Sequence, residues 1–127
     1  MIQNGSYLNV IDNSGAKTVY CIKVISGYKR RYAAIGDLIT VSIKVLRSKR
    51  RSSSKTKKGE IYRAVIVRVK QKKNLFSGDS LKFFENSVVL LNKQNKFIGT
   101  RVFGSVPKFL RYTKFLKVIS LSSGIVS

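Results

Sequence analysis

One cysteine, Cys21, and five acids, Asp12, Asp37, Glu60, Asp79 and Glu85, are the groups with thiol or carboxylate chemistry, and there is no histidine. A nucleophilic thiol needs a neighbouring base or cationic pocket to lower its pKa. Cys21 has no histidine to activate it and reads as a small packed hydrophobe. The acids are scattered, and none pairs with another at strand or helix spacing. A two-metal hydrolytic site would need them clustered. Asp12 and Asp37 sit beside turn residues, where carboxylates commonly accept local backbone N–H bonds. A single cysteine also rules out an internal disulfide framework and an ordinary zinc site. No metal or other cofactor is expected, and the chain reads as a binder, not an enzyme.

What it would bind is set by charge. Against the five acids stand 26 lysines and arginines, for a net charge of +21 in 127 residues. Self-repulsion on that scale destabilises a compact chain unless a polyanion neutralises it. One mixed basic and aromatic stretch and three basic clusters are visible. In "GYKRRYAAIGD", Lys29, Arg30 and Arg31 lie between Tyr28 and Tyr32, so phosphate-binding cations alternate with stacking faces. From Arg47 to Lys58 there are seven basic residues in twelve: Arg47, Lys49, Arg50, Arg51, Lys55, Lys57 and Lys58. The segment "RVKQKK" adds Arg68, Lys70, Lys72 and Lys73, and a third group comprises Arg101, Lys108, Arg111, Lys114 and Lys117. Several cationic faces on one small body suit folded RNA packed on more than one side. An anionic membrane is the rival partner, disfavoured because the charges do not lie on one amphipathic helix. No apolar run reaches the roughly 18–20 residues of a spanning helix. The first fifteen residues lack the basic start and apolar core of a signal peptide.

The elements that must carry these cations read mostly as strands. "TVYCIKVI" alternates, with Tyr20, Ile22 and Val24 expected on one face and Cys21 and Lys23 on the other. "LITVSIKVL" places Ile39, Val41, Ile43 and Val45 opposite Thr40, Ser42 and Lys44. In "EIYRAVIVRVK", Val65, Val67 and Val69 are expected to face the core. Turns are expected at Asn13-Ser14-Gly15, Gly36-Asp37 and Lys58-Gly59-Glu60. Hairpin turns are expected at Ser77 to Ser80 and Asn92 to Asn95. Short strands at this spacing suggest a small closed barrel. After Gly104, "VPKFLRYTKFLKVIS" reads as one or two short helices over about 107–120. Pro107 would stand near their start, and Phe109, Leu110, Phe115, Val118 and Ile119 would supply apolar contacts. Residues 1–127 read as a single domain with a basic loop at 47–58.

Five stretches, "LNVIDNSGAKTVYCIKV", "KRRYAAIGDLITVSIK", "KKGEIYRAVIVRVK", "NSVVLLNKQNKFIGTRVFG" and "LRYTKFLKVISL", together resemble the universal large-subunit ribosomal protein fourteen family. They keep the family's order from Met1 to about Leu121. The resemblance implies a mostly β fold: a closed five-stranded barrel with a β-ribbon and short C-terminal helices. It implies a structural role on large-subunit ribosomal RNA near the subunit interface, with bridges to small-subunit ribosomal RNA. It further implies pairing of the ribbon with large-subunit protein nineteen and a surface open to a ribosome-silencing factor. Lys17, Lys29 to Arg31, Arg68, Lys70 and Arg101 stand where the family is basic. Thr100, Phe103 and Gly104 fall in the "GTRVFG" loop, expected as a structural turn from which Arg101 reaches out.

The chain also departs from that pattern. The 47–58 loop is longer and more basic, Phe109 and Thr113 replace glutamates, Ser105 replaces a proline, and "LSSGIVS" replaces the usual tail. Richness in Lys, Ile, Asn, Phe, Tyr and Ser is what A+T-rich codons produce. That favours a mitochondrial ribosome, with a plastid or bacterial one as the alternative. A free barrel acting as an RNA chaperone is the rival from another class, and would require stacking aromatics exposed on one sheet face.

Overall fold

Five strands close a barrel: β1 (Tyr7–Val10), β2 (Ala16–Val24), β3 (Leu38–Leu46), β4 (Ile61–Arg68) and β7 (Ser87–Leu91). The computed structural model describes residues 2–25, 31–47, 56–70, 73–74, 78, 80–108, 110, 115 and 117–126. Neighbouring barrel strands are antiparallel except at the closing seam, where β1 runs parallel to β7 with Asn9 opposite Ser87 and Val10 opposite Val88. Closure leaves no barrel edge unpaired. Between β4 and β7 a short antiparallel ribbon pairs β5 (Lys73–Asn74) with β6 (Ser80–Leu81). Of the turn expected at Ser77 to Ser80, Ser77 and Asp79 lie outside the described residues, and Ser80 opens β6.

The turns fall where glycine and asparagine chemistry puts them. Gly36 and Gly59 hold φ of +90° and +87° just before β3 and β4 begin. Asn92 opens the turn after β7, its Oδ1 accepting from Gln94 N and Lys96 N at 2.9 Å each, and Asn95 adopts φ +62°. Asparagine tolerates that left-handed conformation better than most residues.

The face assignment of β2 is corrected. Val19, Cys21 and Val24 are buried, whereas Ile22 and Lys23 point outward. A bulge between Cys21 and Lys23 adds one residue to β2, so the inward set shifts phase within the strand. In β3, Ile39, Val41 and Ile43 line the core, but Val45 is exposed. Strands β4 and β7 are buried on both faces, from Ala64 to Val67 and from Ser87 to Leu91. From the C-terminal layer, β8 (Val102–Pro107) packs against β4.

That C-terminal layer also differs from expectation. Pro107 closes strand β8, and of the first helix expected there the described residues show 3-10 turn geometry at Lys108 and Leu110, directly after it. β8 pairs in parallel with β9 (Ser122–Val126), Pro107 opposite Val126. A two-stranded sheet is all edge, so it tolerates a residue that lacks an N–H. One short helix, α1 (Lys117–Leu121), connects into β9. Leu110 and Val118 are buried, and Phe115 and Ile119 pack against the same core.

One carboxylate joins the seam to the turn. Asp12, fully buried, accepts from the Ser14 hydroxyl and from Ser14 N (3.1 Å) at Oδ1, and from Leu90 N (3.0 Å) at Oδ2. Next to it, Asn13 Oδ1 accepts from Thr100 N (2.7 Å) and Arg101 N (3.2 Å), and Asn13 Nδ2 donates to Thr100 Oγ1 (2.9 Å). Gly99 is required here, because a Cβ would come within 2.7 Å of Asn13 Oδ1. Burial raises the Asp12 pKa above its ordinary value of 3.8, against the opposing pull of its bonds to Ser14 and Leu90 and of the Arg47 charge.

The folded state therefore binds the Asp12 proton more tightly than the unfolded chain does. Its contribution to stability is fully present below the unfolded pKa and is lost as pH rises through the raised folded value. Asp12→Asn loses that dependence and sets an amide N–H against Leu90 N–H. We expect a deficit of about 1–3 kcal/mol in denaturant unfolding. The deficit should be larger near pH 4 than at pH 7.

Candidate nucleic-acid interface

The described acids are all engaged inside the protein. Asp12 is buried as above, and Asp37 Oδ2 accepts from Ala34 N (2.7 Å) at the turn into β3. Glu85 Oε1 takes Arg68 Nη1 (3.1 Å) and Ser87 Oγ (3.0 Å), while its Oε2 takes Asn9 Nδ2 (3.0 Å). Glu60 accepts the Tyr62 hydroxyl, whose pKa is pushed up to about 12, by burial first and then by that carboxylate. Cations, by contrast, stand in solvent. Lys17, Lys23, Arg31, Lys44, Lys57, Lys58, Lys70, Lys82, Lys93, Lys96, Arg101, Lys108 and Lys117 are all exposed. The outside is thus far more uniformly positive than a net charge alone conveys.

The sequence candidates divide into three groups. Lys17 on β2, Arg31 and Tyr32 ahead of the Ala33–Ile2 bridge, Lys57 and Lys58 in the turn before β4, Lys70 after it, and Arg101 between Asn13 and β8 all present exposed side chains. Arg47 and Arg68 are half-buried and tied to backbone. Arg47 Nη2 donates to Val10 O at 2.9 Å, and its guanidinium lies 5.8 Å from the Phe103 ring centroid. Arg68 Nε donates to Ser105 O at 2.9 Å, its Nη2 donates to Phe103 O, and it pairs with Glu85. Burial, only partly opposed by Glu85, lowers its pKa, yet it stays charged at any physiological pH. Arg68 is therefore a brace between β4 and β8, with little left to offer a phosphate. Of Lys73 the backbone is described, as part of β5. Lys29, Arg30, Lys49, Arg50, Arg51, Lys55, Lys72 and Lys114 lie outside the described residues.

Strand pairing brings together what the chain separates. Lys17, Arg47 and Arg68 line one groove of about 530 Å³ together with Phe103 and Gly104. A second depression joins Lys44 to Lys58, and a third, of about 770 Å³, joins Arg63 to Lys93. Sequence reasoning missed Lys44, Arg63 and Lys93 as interface candidates. Their outward position in the strand alternation was the available signal for Lys44, but nothing local tells which outward lysines become neighbours. Aromatics are also exposed: Tyr7 packs edge-on against Tyr20 at 5.3 Å, and Lys44 Nζ sits 5.5 Å from the Tyr20 centroid. Cys21 is buried, with its pKa raised by burial, the opposite of an activated thiol. Among the described residues no group of three or more His, Cys, Asp and Glu gathers to hold a metal.

Gly104 is where the Arg68 brace and the loop meet. It holds φ +80°, and a Cβ there would stand 2.1 Å from Arg68 Nη2. Gly104→Ala should cost about 1–3 kcal/mol, from the left-handed backbone and the displaced guanidinium together. In a double-mutant cycle with Arg68→Met, the two losses should add to less than their sum, since each disrupts the same contact. Urea unfolding of the four proteins checks this.

A barrel whose described acids accept internal hydrogen bonds while thirteen described cations stand exposed is a scaffold for holding polyanions. The family model for ribosomal protein L14p/L23e matches residues 1–126, from the first strand of the barrel through β9. Proteins of this family are structural components of the large ribosomal subunit that bind its RNA. The chain belongs to the ribosomal protein L14p/L23e family.

Proposed function

We propose that the whole chain acts as one barrel domain at the intersubunit face of the large subunit, gripping large-subunit ribosomal RNA and helping to form bridges to small-subunit ribosomal RNA. The observation that carries this reading is the partition of charge: the described acids accept internal hydrogen bonds while the exposed cations lie on several sides of the barrel. Phosphate contacts position a protein without reading sequence, so the rigid barrel supplies the geometry and the cations the attachment. Lys17, Arg31, Lys57, Lys58, Lys70 and Arg101 are the described residues proposed to make those contacts, with Tyr32 as an adjoining stacking face. The seven basic residues from Arg47 to Lys58 would make the 47–58 loop an RNA-gripping extension.

The finer assignments belong to the same proposal. The β5–β6 ribbon has the form needed to extend a sheet into a protein neighbour, large-subunit protein nineteen. The same subunit-facing surface would receive a ribosome-silencing factor. The A+T-rich amino-acid usage supports a mitochondrial setting. No catalytic step is proposed.

Gradient sedimentation of native extract, following this chain by mass spectrometry, tests the reading. The protein should travel with the large subunit and remain there at moderate salt. Sedimentation as a free protein or in a small RNA complex would sink it and favour an RNA chaperone. On deproteinised large-subunit ribosomal RNA, the double variant Lys57→Gln, Lys58→Gln should flatten the slope of log affinity against log salt by about 1–2. An unchanged slope would remove those two lysines from the interface.

A further inference from the structure

The groove between β2 and β8 has a construction that phosphate attachment alone does not explain. Its one acid, Glu85, has both oxygens occupied by Arg68, Ser87 and Asn9, so it does not repel an incoming anion as a free carboxylate would. Arg68 is in turn held by Glu85 and two carbonyls. That leaves Lys17, exposed and without a carboxylate partner among the described residues, and Arg47. Arg47 uses Nη2 on Val10 O, and its Nε is buried and has no acceptor among the described residues, so an anion in the groove would meet the rest of the guanidinium. The Phe103 ring, 43% exposed, lines the same groove with the Arg47 guanidinium over it, 5.8 Å from its centroid. Next to the ring, Gly104 leaves room for the Arg68 guanidinium.

We infer that this groove holds a single nucleotide of an RNA strand, its phosphate on Lys17 and Arg47 and its base stacked on Phe103. The inference rests on the RNA-binding reading above and adds to it a base-sized subsite. A cation beside an aromatic ring is the arrangement that holds bases without selecting among them, since every base has a π-face. The volume of about 530 Å³ suits one nucleotide but not a duplex. Recognition of this kind requires a splayed, unpaired residue in the RNA.

The test separates stacking from charge. The purified full-length chain is titrated at low salt with a labelled uridine pentamer and with a fully abasic pentamer of the same backbone. The base-bearing strand should bind about 5- to 100-fold tighter. Phe103→Leu, which keeps apolar bulk on an exposed position, should bring that ratio close to one, and Phe103→Ala should do the same. Lys17→Gln should weaken both strands equally and leave the ratio intact. A ratio unchanged in Phe103→Leu, or one abolished instead by Tyr7→Leu or Phe84→Leu, overturns the subsite. Equal binding of the two strands by the wild-type chain also overturns it, while the RNA-binding reading survives. Failure of the wild-type chain to bind either strand would count against that broader reading as well.

Discussion

The buried carboxylate of Asp12 is the constraint on which the rest of the structure hangs. It accepts donors from the β1–β2 turn and from β7, so one side chain fixes the turn and the closing strand of the barrel together. Asn13 then clamps the approach to β8 through Thr100 and Arg101. Arg47, donating to Val10 O, brings the end of β3 to the same point, and Arg47 N bonds Gly15 O at 2.9 Å. A buried ion is costly unless its lone pairs are satisfied, and here protein donors satisfy them. The cost bought by that burial is geometric definition: three chain segments with no sequence proximity share one hydrogen-bonded node.

The same logic extends to the other described acids and organises the surface. Glu85 and Asp37 accept turn and side-chain donors where strands begin, and Glu60 accepts the Tyr62 hydroxyl. A carboxylate used in this way neutralises little of the exterior. The described acids thus help build the frame, while most of the described cations stand exposed on it. The ion pair of Arg68 with Glu85 also belongs to the frame.

Much of the frame was legible in the sequence because its signals are local. Gly36, Gly59 and the Asn92 to Asn95 turn mark strand ends directly, and the alternation of Ile39, Val41 and Ile43 identifies an inward face. The resemblance to a known family supplied the strand number and the ribbon. What escaped was non-local. The bulge in β2 reverses which of Cys21 and Ile22 points inward, and such a bulge has no signature in residue type alone. Pro107 and the Ser- and Gly-containing β9 read as helix start and tail because their strand character comes only from pairing with each other. Arg68 looked like one more phosphate contact; only the closeness of Glu85, Ser105 and Phe103 makes it a brace. Phe103 looked structural, and only the position of Arg47 in the same groove gives its ring another use.

The parallel seam between β1 and β7 has a consequence for the order in which the molecule can assemble. Asp12 and Leu90 are 78 residues apart, yet their bond lies at the seam where the barrel closes. Contacts of such long range are slow to form, since the entropy of closing the intervening loop is lost before the contact returns anything. A chain emerging from the N-terminus exposes two unpaired strand edges until β7 is available. During that interval it carries most of its positive charge, including the loop before β4, with the frame still open. Nascent copies are thus most adhesive to polyanions before they are folded, so the timing of synthesis relative to RNA availability decides whether the barrel closes on its own or already attached.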